Sequence, residues 1–100
     1  MTFNVIIQPE AFEDIQEGVD YYNSKQDALG SRFHAEVLKN IQSIRENPFY
    51  QTRYDAIHCK PLKIFPYMIH FSIEEAYKVI NVFAVICCYQ NPEEHWVGKR

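Results

Sequence analysis

The chain has 100 residues, 47% of them hydrophobic and 15% aromatic, with only 3 Gly and 5 Pro. That is enough apolar surface for one modest core, and it excludes a disordered or low-complexity segment. A formal net charge of -3 argues against a general nucleic-acid binder held by phosphate contacts.

Thr2 to Ile7 places Phe3, Val5 and Ile7 on one face and predicts a short first strand. Pro9 suits the first turn of a helix, and Glu10, Glu13 and Asp14 suit its positive end. Phe12, Ile15, Val19 and Tyr22 recur at spacings of three and four, so this helix is expected from Pro9 to Tyr22 or Asn23. Asn23 to Asp27 forms a polar turn in which Ser24 or Asp27 is expected to cap the next helix. Leu29, Phe33, Val37, Ile41 and Ile44 make its apolar stripe, with Leu38 beside it, and Asn47-Pro48 supplies the stop. Two helices on a short link form a helical hairpin.

After Pro48 the pattern changes. Asn47 to Tyr54 is expected to be a loop. Ile57 to Lys60 and Leu62 to Phe65 are β-prone, broken by Pro61, which points to an edge or a bulge. Tyr67, Ile69, Phe71 and Ile73 alternate with Met68, His70 and Ser72, as in a half-buried strand. Glu74 to Tyr77 turns the chain, and Val79 to Cys88 returns as a near-continuous apolar strand suited to a central position. Asn91-Pro92 ends the sheet, and Glu93 to Arg100 is a tail that Trp96 is expected to anchor. The fold class is therefore α+β in a single domain over 1–100: an N-terminal strand, a helical hairpin, then a three-stranded antiparallel sheet with the hairpin on one face.

Charge and cysteine usage narrow the setting. Residues 1–50 hold four Lys/Arg and eight Asp/Glu; residues 51–100 hold six and five, plus three of the four histidines. An anionic partner would therefore meet the second half. No run is long and apolar enough to span a bilayer and no basic segment leads into an apolar one, so a cytoplasmic protein with no membrane partner is expected. Cys59, Cys87 and Cys88 are an odd set, consistent with reduced thiols. His58 and Cys59 are adjacent, which is poor geometry for two ligands to one metal. No spacing suggests zinc, and no Gly-rich loop suggests a nucleotide, so no metal or cofactor is expected. Cys59 near His58 or His70 imitates a thiol nucleophile, without an evident third orienting group.

Several strings carry a family resemblance. They are Ala11-Phe12-Glu13-Asp14-Ile15, Tyr21-Tyr22, Arg32-Phe33 and Glu46-Asn47-Pro48, then Phe65-Pro66-Tyr67-Met68-Ile69-His70-Phe71, Val82-Phe83-Ala84-Val85-Ile86, Asn91-Pro92-Glu93 and Trp96. In this order and spacing they resemble the RelE/ParE toxin superfamily, the toxins of type II toxin–antitoxin and plasmid stabilisation systems. The resemblance implies a growth-inhibiting β-α-α-β-β-β domain masked by a cognate antitoxin. It implies a target of messenger RNA on the ribosome for RelE-like members, or DNA gyrase for ParE-like members.

Cleaving RNA through its 2′-hydroxyl needs a base, an acid and stabilisation of the phosphate charge. The candidates are His58, Lys60 and Lys63 in the second-strand region, His70 on the face away from Tyr67, and Tyr89, Gln90 and His95 in or after the last strand. Each has a structural alternative: Lys60 and Lys63 solvating an edge strand, Tyr89 packing, His70 structural, His95 merely exposed. The chain also departs from the ribonuclease pattern. Cys87 and Gln90 stand where a basic pair is expected, and Met68 stands where an arginine is found. A missing charge-assisted contact costs about 2–4 kcal/mol of transition-state stabilisation. Three readings follow: a toxin acting as an interaction module, a ribosome-dependent endoribonuclease, and a degenerate toxin that retains only antitoxin binding.

Overall fold

Alternation at the start of the chain, helical spacing after it and alternation again towards the end become strands, helices and strands in that order. The computed structural model describes residues 3–49, 52–54 and 57–87. Among them are β1 (Asn4–Ile7), α1 (Pro9–Lys25), α2 (Leu29–Glu46), β2 (Thr52–Tyr54), β3 (Ile57–Pro61), β4 (Tyr67–Glu74) and β5 (Val79–Cys87), with a 3-10 turn at Glu75–Tyr77. The sheet order is β1-β5-β4-β3-β2. The late strands β3, β4 and β5 pair antiparallel, as expected from their short links, and β1 adds to β5 in parallel. A parallel neighbour needs a crossover, and the helical hairpin is part of that crossover.

Both helices lie on one face. Ala11 and Ile15 of α1 and Phe33, Val37, Ile41 and Ile44 of α2 join Ile69 and Phe71 of β4 and Ile80, Val82 and Val85 of β5 in one buried cluster. At about 25 cal/mol per Å² of apolar area this burial is the main stabilising term. Aromatic rings close one end: Tyr22 lies 4.8 Å from Phe65 and 5.3 Å from Phe33, and Phe33 lies 4.8 Å from Tyr67. The helices approach closely because Gly18 has no side chain; a Cβ there would lie 2.5 Å from Cε2 of Phe33.

The sheet departs from simple alternation at one point. His70 pairs with Ala84 and Phe71 with Val82, so Phe83 is an extra residue in β5. This bulge keeps Val85 on the helix side with Val82 and Ile80.

Three expectations need correction. β2 forms within the stretch expected to be a loop, pairing Thr52 with His58 and Tyr54 with Ile57. Leu62 to Phe65 is not strand: Pro61 ends β3, and Leu62 N–H donates to the Tyr67 carbonyl at 2.9 Å, closing the β3–β4 connection at that point. Neither Ser24 nor Asp27 caps α2. Ala28 turns the chain with φ 67°, and it is Asn23 whose Oδ1 accepts the Gly30 N–H at 2.8 Å. Ser24 instead donates to the Tyr21 carbonyl at the end of α1. No described helix is long and apolar enough to cross a membrane.

Candidate functional site

The β3–β4 ladder decides which chemistry-bearing side chains share a surface. Residues directly opposite in an antiparallel pair lie on the same face. His58 pairs with Phe71 and Lys60 with Ile69, whereas Cys59 pairs with His70 and Pro61 with Met68. Phe71 and Ile69 belong to the helix-side core. His58 and Lys60 are therefore on the helix side of the sheet, and His70 is on the other. The His58 ring stacks on Phe71 with centroids 5.6 Å apart and planes at 21°. His58 and Lys60 are both half-buried.

The face away from the helices carries Cys59, Met68, His70, Ala84 and Ile86. It is less open than alternation alone implies: Cys59 and His70 are each 7% exposed, and Ala84 and Ile86 are buried as well. Cys59 Sγ lies 3.3 Å from His70 Nδ1. The expectation of a thiol beside His58 or His70 thus resolves to His70, because His58 points through the opposite side of β3.

Lys63 is not in a strand. It sits exposed in the β3–β4 connection, where its backbone N–H donates to Glu36 Oε2 at 2.9 Å and the Ile64 N–H donates to the same oxygen at 3.3 Å. One carboxylate of α2 thereby fixes this loop, a role for Glu36 that no sequence pattern announced. Tyr89, Gln90 and His95 lie outside the described residues, as do Cys88 and Trp96.

His58, Lys60, Lys63 and His70 are therefore not one cluster. His58 and Lys60 form a pair that can offer a positive charge and an acid or base on one face. His70 and Cys59 form a second pair on the opposite face, and the thickness of the sheet separates the two. Among the described residues no group of three or more His, Cys, Asp or Glu side chains is placed to hold a metal ion. Tyr67 bridges the helix-side cluster to β5: burial pushes its phenol up to about 12, helped by the neighbouring Tyr22 hydroxyl and the Cys87 thiol.

The order and pairing of these elements can be set beside known structures. A chain of the chromosomal ParDE toxin–antitoxin system from P. aeruginosa superposes with a TM-score of 0.76 over 86% of this chain and 96% of its own length, at 10% identity. Free E. coli RelE, in a form with two arginines replaced by alanine, matches with a TM-score of 0.73 over 100% of this chain and 98% of its own, at 14% identity. The fold is that of the RelE/ParE toxins. A chain of the Mycobacterium tuberculosis toxin–antitoxin complex RelBE2 matches with a TM-score of 0.61 over 87% of this chain and 99% of its own, at 11% identity. No protein-family model matches the sequence, and no curated protein matches it. At such low identity it is the RelE/ParE architecture that is shared, and the surface chemistry is this chain's own.

Proposed function

We propose that this chain is the toxin of a type II toxin–antitoxin pair, held inactive by a cognate antitoxin and acting in the cytoplasm on a macromolecular target by binding it. The observation that carries the reading is the match over the whole chain to a free RelE toxin, alongside chains from ParDE and RelBE2 systems. Surface chemistry supports a masking partner. Phe12, Leu38 and Ile64 are large apolar side chains left exposed, and covering them with an antitoxin segment would remove apolar area from water.

Binding is favoured over RNA cleavage because, among the described strand candidates, His58 and Lys60 lie on one face of the sheet and His70 on the other. In addition, Met68 and Gln90 carry no charge where ribonuclease members carry one. The ribonuclease alternative rests on His58 and Lys60, which share one strand and one face.

Induction of the chain in a bacterial host, with and without any small open reading frame found adjacent to its gene, tests the proposal. The expected result is growth arrest that co-expression relieves. Growth unaffected by induction at confirmed soluble expression would overturn it and leave the degenerate-toxin reading. Primer extension on transcripts after induction separates the targets. Intact messages with loss of gyrase supercoiling activity support a gyrase target; cleavage within codons on ribosomes supports the ribonuclease alternative.

A further inference from the structure

The fold puts a thiol and an imidazole in contact by register alone. Cys59 and His70 are cross-strand partners in β3 and β4, and Sγ lies 3.3 Å from Nδ1. His58 is Cys59's neighbour in sequence but lies on the other face, stacked on Phe71, so of these two imidazoles it is His70 that touches the thiol. Neither the toxin fold nor the proposed partners require such a pair.

We propose that Cys59 is a peroxide-reactive thiol activated by His70, a modification site on the face of the sheet away from the helices. In the tautomer that carries its proton on Nε2, His70 Nδ1 accepts the thiol proton. The sulfur then attacks one oxygen of a small hydroperoxide: an S–O bond forms, the O–O bond breaks, and the departing hydroxide takes the proton from the imidazolium as water. Sulfur is oxidised by two electrons to the sulfenic acid and the peroxide is reduced. A small, uncharged oxidant suits a thiol that is 7% exposed, whereas a bulky alkylating agent does not.

One intramolecular route from the product is closed. Cys87 pairs with Tyr67, which faces the helices, so the sheet stands between Cys87 and Cys59 and a disulfide between them cannot close. Condensation with a small thiol, which releases water and leaves a mixed disulfide on this face, is a route that remains.

The test compares rates in the intact chain. Peroxide treatment, natively and in urea, is quenched with catalase, and both samples are then trapped with dimedone in urea, so that access of the trap is equal, before peptide mass spectrometry. Activation by His70 exists only in the folded chain, so Cys59 is expected to form sulfenic acid at least severalfold faster natively than in urea, while Cys87 is not. A merely buried thiol gives the opposite ratio, and that result would overturn the proposal without any mutation. His70→Gln keeps a polar partner but removes the base; roughly a tenfold fall in the native Cys59 rate is expected. An unchanged rate in a variant with the wild-type circular dichroism spectrum would equally refute it.

Discussion

Asp14 Oδ2 accepts the backbone N–H of Val85 at 3.0 Å, tying the middle of α1 to β5 just past the last residue that β1 reaches. β1 pairs with β5 only as far as Val82, and Gln8 N–H makes the final bond to the Val82 carbonyl. Beyond that point no strand among the described residues lies on the β1 side of β5, and the Asp14 carboxylate takes the place of a ladder acceptor. A buried N–H left without an acceptor costs about 1–3 kcal/mol. Asp14→Ala is therefore expected to lower unfolding free energy by that amount in urea titration, and Asp14→Asn, whose amide oxygen still accepts, by less. Hydrogen exchange at Val85 is expected to accelerate in both variants. An Asp14→Ala chain with the wild-type midpoint would show that this contact is replaceable by water.

Gly18 shows how a helix weakness can be a packing requirement. Alanine is the better helix former by up to about 1 kcal/mol, yet its Cβ would sit 2.5 Å from the fully buried Phe33 ring. Overpacking a filled core costs about 1–3 kcal/mol. Gly18→Ala is expected to be net destabilising by about 1–2 kcal/mol. Phe33→Leu is expected to cost less in the Gly18→Ala background than alone, since the smaller side chain gives the new methyl room. A thermodynamic cycle of the four chains measures this coupling; additive effects would mean that the helices simply separate.

Ala28 carries the opposite lesson. Its φ of 67° lies in the left-handed region, which costs an L-residue with a Cβ about 1–2 kcal/mol. Glycine has no such penalty but loses more freedom on folding. Ala28→Gly is expected to raise stability by about 0.5–1 kcal/mol, a rise in Tm of roughly 2–8 °C. The Arg32 N–H bond to the residue 28 carbonyl is backbone-only and survives the change. A fall in Tm would show that this turn is set by the rest of the hairpin at no local cost.

What the sequence disclosed depended on periodicity. The two helix stripes, the alternation of Tyr67, Ile69, Phe71 and Ile73 and the apolar run of β5 are repeated signals, and each became the expected element. Single-residue geometry left no such trace. The left-handed Ala28 stands at the N-cap of α2 in place of Ser24 or Asp27, with the Gly30 N–H taken by Asn23 Oδ1, and the extra Phe83 in β5 is invisible in an unbroken apolar run. The candidate site suffered from one boundary. Extending the β-prone stretch to Phe65 hides the hairpin register; ending it at Pro61 pairs Cys59 with His70 and sends His58 and Lys60 to the other face. With that register in hand, the division of the basic candidates into two groups follows from period-two alternation alone.

Tyr67 gives the sheet a measurable alkaline limit. Its phenol, desolvated among Tyr22, Phe33 and Cys87, is pushed up to about 12, whereas an unfolded tyrosine ionises near pH 10. Below about pH 10 both states keep the proton and Tyr67 adds no slope to stability. Between about 10 and about 12 the folded chain still binds a proton that the unfolded chain has released, so stability falls as pH rises through that window. Tyr67→Phe keeps the ring packed 4.8 Å from Phe33 and removes the ionisable group, so its unfolding free energy is expected to fall less steeply over the same range. Phenolate absorbance gives an independent reading: one tyrosine in the native chain is expected to titrate later than in Tyr67→Phe. Identical alkaline slopes in wild type and variant would place the Tyr67 hydroxyl in water rather than in the cluster.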